Sequence, residues 1–145
     1  MADIPELFLR IHERHGHYCP MSTLGARLAE AALLTLGNGR EGLRAGYQME
    51  TCAVDGIAVV TGCLPEEGRL EVNPQGRHRL LLHADGGRQA VVELTAAALE
   101  RAAACRRLLD ADDPGAAAAL AALRSAPLAE LVQVCAPAKE PREHV

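Results

Sequence analysis

Aromatic side chains are almost absent from this sequence. Phe, Tyr and Trp together make up 2% of the chain. Binding of single-stranded nucleic acid relies on aromatic side chains on which bases stack. The 15 Lys and Arg residues form no dominant basic run, and the net charge is -4. Both observations argue against nucleic acid or an anionic membrane as a partner.

Sequence features of several common protein classes are also missing. The N-terminus carries acidic residues among its apolar ones, and no uncharged stretch approaches the length needed to cross a bilayer. The sequence contains no Gly-rich phosphate loop, dinucleotide fingerprint or serine nucleophile elbow. We therefore expect a cytoplasmic protein without a membrane partner, which interacts with small molecules or other proteins.

The length and the cysteine content narrow the possibilities further. A chain of 145 residues is expected to form one domain with a sizeable core. Its five cysteines are odd in number and widely scattered, unlike a disulfide framework. In a reducing compartment, metal binding or thiol chemistry is the better interpretation.

Hydrophobic periodicity and turn residues predict a mixture of helices and short strands. The pattern is ambiguous at 53–61, where β-branched residues favour a strand but a three-residue apolar spacing favours a helix. Three short runs separated by turns predict an antiparallel meander, at 69–73, 78–84 and 89–94. The remaining predictions are helices at 3–14, 20–36, 95–109 and 116–124, a strand at 43–50 and helical turns from 127 to 134.

The motif RHGHYCPMSTLGA, at 14–26, concentrates groups that can bind a metal. His15, His17 and Cys19 alternate, so an extended backbone would turn all three side chains the same way. Pro20 suits the first position of the helix that follows. Cys19 would then lie at a helix N-terminus, where partial positive charge favours a thiolate, the form that binds metals and attacks electrophiles.

Two further cysteines are well placed to join this motif. Cys52 and Cys63 each lie where an element meets a turn. With His17 and Cys19 they form a set of one imidazole and three thiols, which suits tetrahedral zinc or another soft-accepting divalent ion. The alternative is that these are ordinary buried cysteines beside a surface histidine pair, since free cysteine is among the most commonly buried residue types.

The sequence alone allows several roles for Asp55, His15 and the three cysteines in proton transfer or in thiol redox chemistry. Asp55 would orient a ligand histidine, accept a proton from metal-bound water, or cap the next element. If one cysteine stays off the metal, Asp55 or His15 is the candidate proton carrier at an open coordination position. In a thiol-redox enzyme, Cys19 would instead attack and Cys52 or Cys63 would resolve the mixed disulfide.

Several segments resemble the FmdE family, which is named for a component of formylmethanofuran dehydrogenase. They are HGHYCP at 15–20, LGARLAE in the next helix, ETCAVDGIAVVTGC at 50–63 and, more weakly, QGRHRLLLH. The resemblance implies an α+β domain, with a helix, a strand and a helix followed by a three-stranded antiparallel run. The predicted Ala-rich helices follow at the C-terminal end. The resemblance favours a helix at 53–61. We expect one metal-binding domain of this type at 1–138 and a frayed tail at 139–145.

The resemblance also implies a bound metal, with zinc expected first and iron or another divalent transition metal as alternatives. Carried onto this sequence, its ligands are His17, Cys19, Cys52 and Cys63, with His15 in a supporting position. The resemblance suggests a homodimer that has a small-molecule or oxidoreductase partner. The leading hypothesis is an accessory or ligand-binding protein linked to redox metabolism. The alternatives are a thiol-redox enzyme and a protein that delivers a metal or metallated cofactor.

The sequence departs from the family pattern after the second motif. Where the family often has a basic Gly-Lys-Gly-like loop, this chain has the acidic segment Leu64-Pro65-Glu66-Glu67-Gly68. An anionic ligand held by that family lysine is therefore not expected here.

Overall fold

The computed structural model describes residues 6–16 and 19–135. The predicted ligand His17 and the predicted tail at 139–145 lie outside this range. The helices are α1 (Glu6–His15), α2 (Pro20–Leu36), α3 (Ala53–Thr61), α4 (Ala96–Asp110), α5 (Ala116–Ser125) and α6 (Leu128–Leu131), and a 3-10 turn covers Pro65–Glu67. The strands are β1 (Arg44–Tyr47), β2 (Leu70–Val72), β3 (Arg79–Ala84), β4 (Arg88–Leu94) and β5 (Val132–Cys135). The α+β class is confirmed, and so is the helix implied at 53–61.

The five strands of the described residues form one mixed sheet in the order β2-β1-β3-β4-β5. The predicted hairpin of β3 and β4 is present, but the predicted meander is wrong because β1 lies between β2 and β3. β1 is parallel to β2 and antiparallel to β3. The turn after β2 donates hydrogen bonds to the end of β1 and to the residue that follows it, from Asn73 N to Tyr47 O and from Gln75 N to Gln48 O. Hairpin spacing along the sequence contains no information about such an inserted strand.

The helical turns predicted to reach Val134 end earlier. α6 stops at Leu131, and the next four residues form β5, which pairs with β4 from Leu94↔Val132 to Val91↔Cys135. The alternation of Val132, Gln133 and Val134 suits an edge strand once β4 offers a free edge. The sheet, rather than the local sequence, therefore decides the conformation of this segment.

Helix α2 lies at the centre of the core. Twelve of its 17 residues are buried, because the sheet covers one side and other helices cover the rest. Leu24 and Leu28 belong to the same apolar cluster as Tyr47, Leu80 and other residues of the inner sheet face. No helix of the described residues is long and apolar enough to span a bilayer.

The closest helix contact joins α2 and α3 through two glycines. A Cβ atom added to Gly56 would lie 2.1 Å from the carbonyl oxygen of Ser22, and one added to Gly25 would lie 2.2 Å from that of Ala53. Only glycine allows the two backbones to approach this closely. The contact brings the N-termini of both helices together, and a cysteine precedes each of them.

Candidate metal centre

Hydrogen bonds to its backbone carbonyl oxygen hold Cys19 at the start of α2. It is the N-cap residue, with an extended conformation, and Pro20 follows at the first helical position as predicted. The side chains of Ser22 and Thr23 donate hydrogen bonds to its carbonyl oxygen, at 3.1 and 2.9 Å. The side chain of Cys19 is buried at 1% exposure. Its sulfur therefore lies in a rigid, shielded position at a helix N-terminus.

Cys52 occupies the matching position before α3. The hydroxyl of Thr51 accepts a hydrogen bond from Ala53 N at 3.0 Å, which orders the start of this helix. Cys52 is half-buried and, like the other four cysteines, is not in a disulfide. The two N-termini thus present two free thiols to the same region.

His15 completes a group of three metal-binding side chains. Its imidazole nitrogen and the sulfurs of Cys19 and Cys52 all lie within 4.8 Å of one another. Zinc–sulfur bonds of about 2.3 Å place two tetrahedral thiolates about 3.8 Å apart. The spacing of this group is therefore compatible with three donors around one ion.

Asp55 positions the histidine of this group. Its Oδ2 lies 2.7 Å from His15 Nδ1, and its Oδ1 accepts a hydrogen bond from Arg14 Nε at 3.1 Å. Metal-bound histidines commonly donate their other ring N–H to a carboxylate in this way. Of the interpretations left open for Asp55, the geometry favours orientation of a ligand histidine, with Nε2 as the metal-binding nitrogen.

The acidic loop after α3 supports the same network. Glu66 binds Arg14 with two hydrogen bonds, at 2.8 and 3.1 Å, and this interaction lowers the pKa of the Glu66 carboxyl to about 2. Arg14 therefore connects Glu66 to Asp55, and Asp55 contacts His15. The loop that departs from the family pattern thus stabilises the positioning of His15.

A cation from a distant helix also reaches the group. Arg106 of α4 donates a long hydrogen bond to Cys19 Sγ, at 3.6 Å. Burial raises the pKa of the Cys52 thiol and the adjacent Cys19 raises it further, whereas Arg106 lowers it. The sequence analysis missed Arg106, since it lies 87 residues from Cys19 and no local motif marks it.

Two of the four ligands predicted from the sequence lie together in the described part of the structure. Cys19 and Cys52 lie together, whereas Cys63 is buried at 1% exposure within the main apolar core and is not in the three-residue group. His17 lies outside the described residues. His15, which was predicted as a supporting residue, is in the group itself. Ligand roles for His17 and Cys63 stay predictions.

A family model described as "FmdE, Molybdenum formylmethanofuran dehydrogenase operon" matches residues 14–137. The chain belongs to the FmdE family. This match contains every residue of the candidate centre, so the family resemblance seen in the sequence is confirmed.

The proteins similar to this FmdE-family chain include a solved structure and a curated protein. The structure is that of a tungsten formylmethanofuran dehydrogenase FmdE-like protein from Syntrophus aciditrophicus, with a TM-score of 0.64 and 20% identity over 90% of this chain and 69% of that chain. It shows the shared fold. A probable S-adenosyl-L-methionine-binding protein of Archaeoglobus fulgidus is 36% identical over an alignment of 69 residues, and the match covers 43% of this chain. The match spans only 19% of that relative's length.

Proposed function

We propose that this FmdE-family chain is a cytoplasmic metal-binding protein whose centre contains His15, Cys19 and Cys52. The observation that carries the proposal is the convergence of two thiols and a carboxylate-oriented imidazole within 4.8 Å. Thiolate and imidazole donors suit zinc first and ferrous iron second.

The number of donors favours ligand binding over a purely structural role. Two thiolates balance the charge of a divalent ion, and a neutral imidazole leaves that balance unchanged. Three protein donors leave one tetrahedral position for another molecule, whereas structural zinc sites use four protein ligands. When bound, a zinc or ferrous ion would act as a Lewis acid toward a small molecule at that position.

The names of its relatives suggest the biological context. Both the family model and the similar crystal structure are named for formylmethanofuran dehydrogenase, a redox enzyme. We therefore propose an accessory, ligand-binding protein linked to redox metabolism, which acts as a homodimer or with an oxidoreductase partner.

Metal analysis of anaerobically purified protein tests the proposed centre. We expect close to one zinc or iron ion per wild-type chain, and a loss of most of the metal in Cys19→Ser and Cys52→Ser. Cys105→Ser is the matched control, because Cys105 is also a buried free cysteine but lies outside the group. Equal metal content in all four proteins would refute the proposed centre.

Two further variants examine the fourth coordination position. His17→Ala and Cys63→Ser test the remaining ligands predicted from the sequence. If either variant loses metal as Cys19→Ser does, the centre has a fourth protein ligand and the ligand-binding role is contradicted. Full metal content in both variants would support an open position.

The thiol-redox function is the second candidate, since the free sulfurs of Cys19 and Cys52 lie within 4.8 Å of each other. A disulfide between them would require an oxidant that accepts two electrons while the thiols release two protons. A metal-free wild type that readily forms this disulfide, as seen by mass spectrometry after thiol alkylation, would favour this function over the metal centre.

A further inference from the structure

The outer face of the sheet, which is turned away from α2, contains a second candidate site. It is a cleft of about 360 Å³ over β1 and its two neighbouring strands. Residues of β1 that face it alternate with Ala45 and Tyr47, which are buried on the inner face. The cleft and the metal centre therefore belong to different sides of the sheet.

Gly46 forms the floor of the cleft. It pairs with Glu71 on β2 and with Leu81 on β3, so it is surrounded by strands on both sides. A Cβ atom added to it would meet nothing within 4 Å. Glycine weakens the interior of a strand, and it often marks a place where a ligand approaches the backbone. Here the missing side chain creates the space of the cleft.

One end of the cleft is strongly cationic. Arg44 pairs with His83 on β3, and Arg69 lies on its other side, directly before β2. Arg69 is held in place by two hydrogen bonds to Leu43 O, at 3.1 and 3.3 Å. Within the described part of the chain, no hydrogen bond or ion pair engages the Arg44 side chain. Two guanidinium groups side by side in a chain of net charge -4 are suited to an anion.

The other end offers groups that recognise hydrogen-bond donors. Gln48 Oε1 is buried and has no hydrogen-bond partner among residues 6–16 and 19–135. Buried polar atoms are nearly always satisfied by protein, water or a ligand. Glu71, beside Gly46, adds a carboxylate acceptor to the lining.

We propose that this cleft binds a small organic anion. Its carboxylate or phosphate would lie against Arg44 and Arg69, and its hydroxyl or amino groups would donate to Gln48 Oε1 and Glu71. This binding site is separate from the metal centre and does not depend on it.

Amide chemical shifts of the metal-loaded protein, recorded during titration with glycerol 3-phosphate or lactate, test the proposal. These probes represent the phosphate and carboxylate forms of the ligand, and both carry a hydroxyl group. We expect saturable shifts at Gly46, Gln48 and the paired residues of β3 with at least one probe, in the millimolar range or tighter. The probe that binds identifies the preferred anion.

Two variants and a control sharpen the test. Gly46→Val fills the floor with a residue that strands favour, and it should abolish the shifts. Arg44→Gln should weaken binding about tenfold or more, because it removes a charge-assisted hydrogen bond. Arg107→Gln is the control, since it removes one exposed arginine from α4 with the same change in net charge.

Three outcomes would overturn the proposal. The first is the absence of saturable shifts with both probes, and the second is equal binding by wild type and Arg44→Gln. The third is a sedimentation mass that differs between Gly46→Val and wild type, while neither probe alters the mass of the wild type. The last outcome would identify the cleft as a contact between two copies of this chain. Cys19→Ser should bind the probes as wild type does, which separates failure of this site from failure of the metal centre.

Discussion

Replacement of Gly56 by alanine should damage both stability and metal binding. The added Cβ would lie 2.1 Å from Ser22 O, whereas ordinary contact begins at 3.4 Å, so α2 and α3 must move apart by about 1.3 Å. Backbone atoms cannot move aside as flexible side chains do. The loss in free energy of unfolding should therefore be at or above the upper end of the usual overpacking cost of about 1–3 kcal/mol. Alanine recovers about 1 kcal/mol through its helix propensity. We expect a net loss of about 2 kcal/mol or more.

The same displacement acts on the candidate metal centre. Cys19 and Cys52 precede the two helices that must separate, and metal–ligand distances tolerate only about 0.2 Å of error. Gly56→Ala should therefore lose metal even in the fraction that remains folded.

Urea unfolding followed by circular dichroism measures the first effect, and metal stoichiometry measures the second. Gly46→Ala is the control, because its added Cβ meets nothing within 4 Å. We expect it to be as stable as wild type and to keep its metal. A Gly56→Ala protein with wild-type stability and wild-type metal content would refute the close-contact argument.

Two further predictions concern interactions distant in sequence. The pKa of Glu66 is lowered from 4.5 to about 2, so its contribution to stability is present above pH 4.5 and is lost as the pH falls toward 2. Glu66→Gln should have a lower melting temperature than wild type at pH 7, and the two melting temperatures should converge near pH 2. Glu67→Gln, which removes the neighbouring charge, is the control and should melt as wild type does. A difference between Glu66→Gln and wild type that stays the same at every pH would contradict the ion pair. Buried Arg27 donates hydrogen bonds to the carbonyl oxygens of Leu123, Arg124 and Ala126 at the end of α5. Arg27→Met should cost about 2–4 kcal/mol in urea unfolding, because these acceptors lose a charged donor; wild-type stability would show that α5 does not need them.

Local patterns predicted the elements better than their arrangement. The proline and the apolar spacing after Cys19 predicted the bounds of α2, and the turn residues at 85–87 predicted the β3–β4 hairpin. The segment at 53–61 was ambiguous by periodicity because it is apolar on several sides, and only the family resemblance favoured a helix. The insertion of β1 into the sheet and the strand β5 depend on partners far along the chain. Strand pairing of this kind leaves no trace in local spacing.

The candidate centre shows the same division. Alternation in RHGHYCP identified a ligand-rich motif, but it could not choose between His15 and His17 as partners of Cys19. In the structure His15 is the last residue of α1, where Asp55 contacts its ring and Arg14 in turn binds Asp55. That position depends on how α1 meets α3, which is a matter of tertiary contact.

By itself, the sequence determined the kinds of donor groups, the helix starts that follow the two cysteines and the family to which the chain belongs. These features are local, because capping, periodicity and motif spacing act over a few residues. Only the tertiary structure decided which donors meet. The contact of Gly25 and Gly56 brings Cys19 to Cys52, packing places Cys63 in the core, and strand register places Gly46 between Glu71 and Leu81. Each of these depends on contacts between residues far apart in the chain, which form only when the whole core assembles.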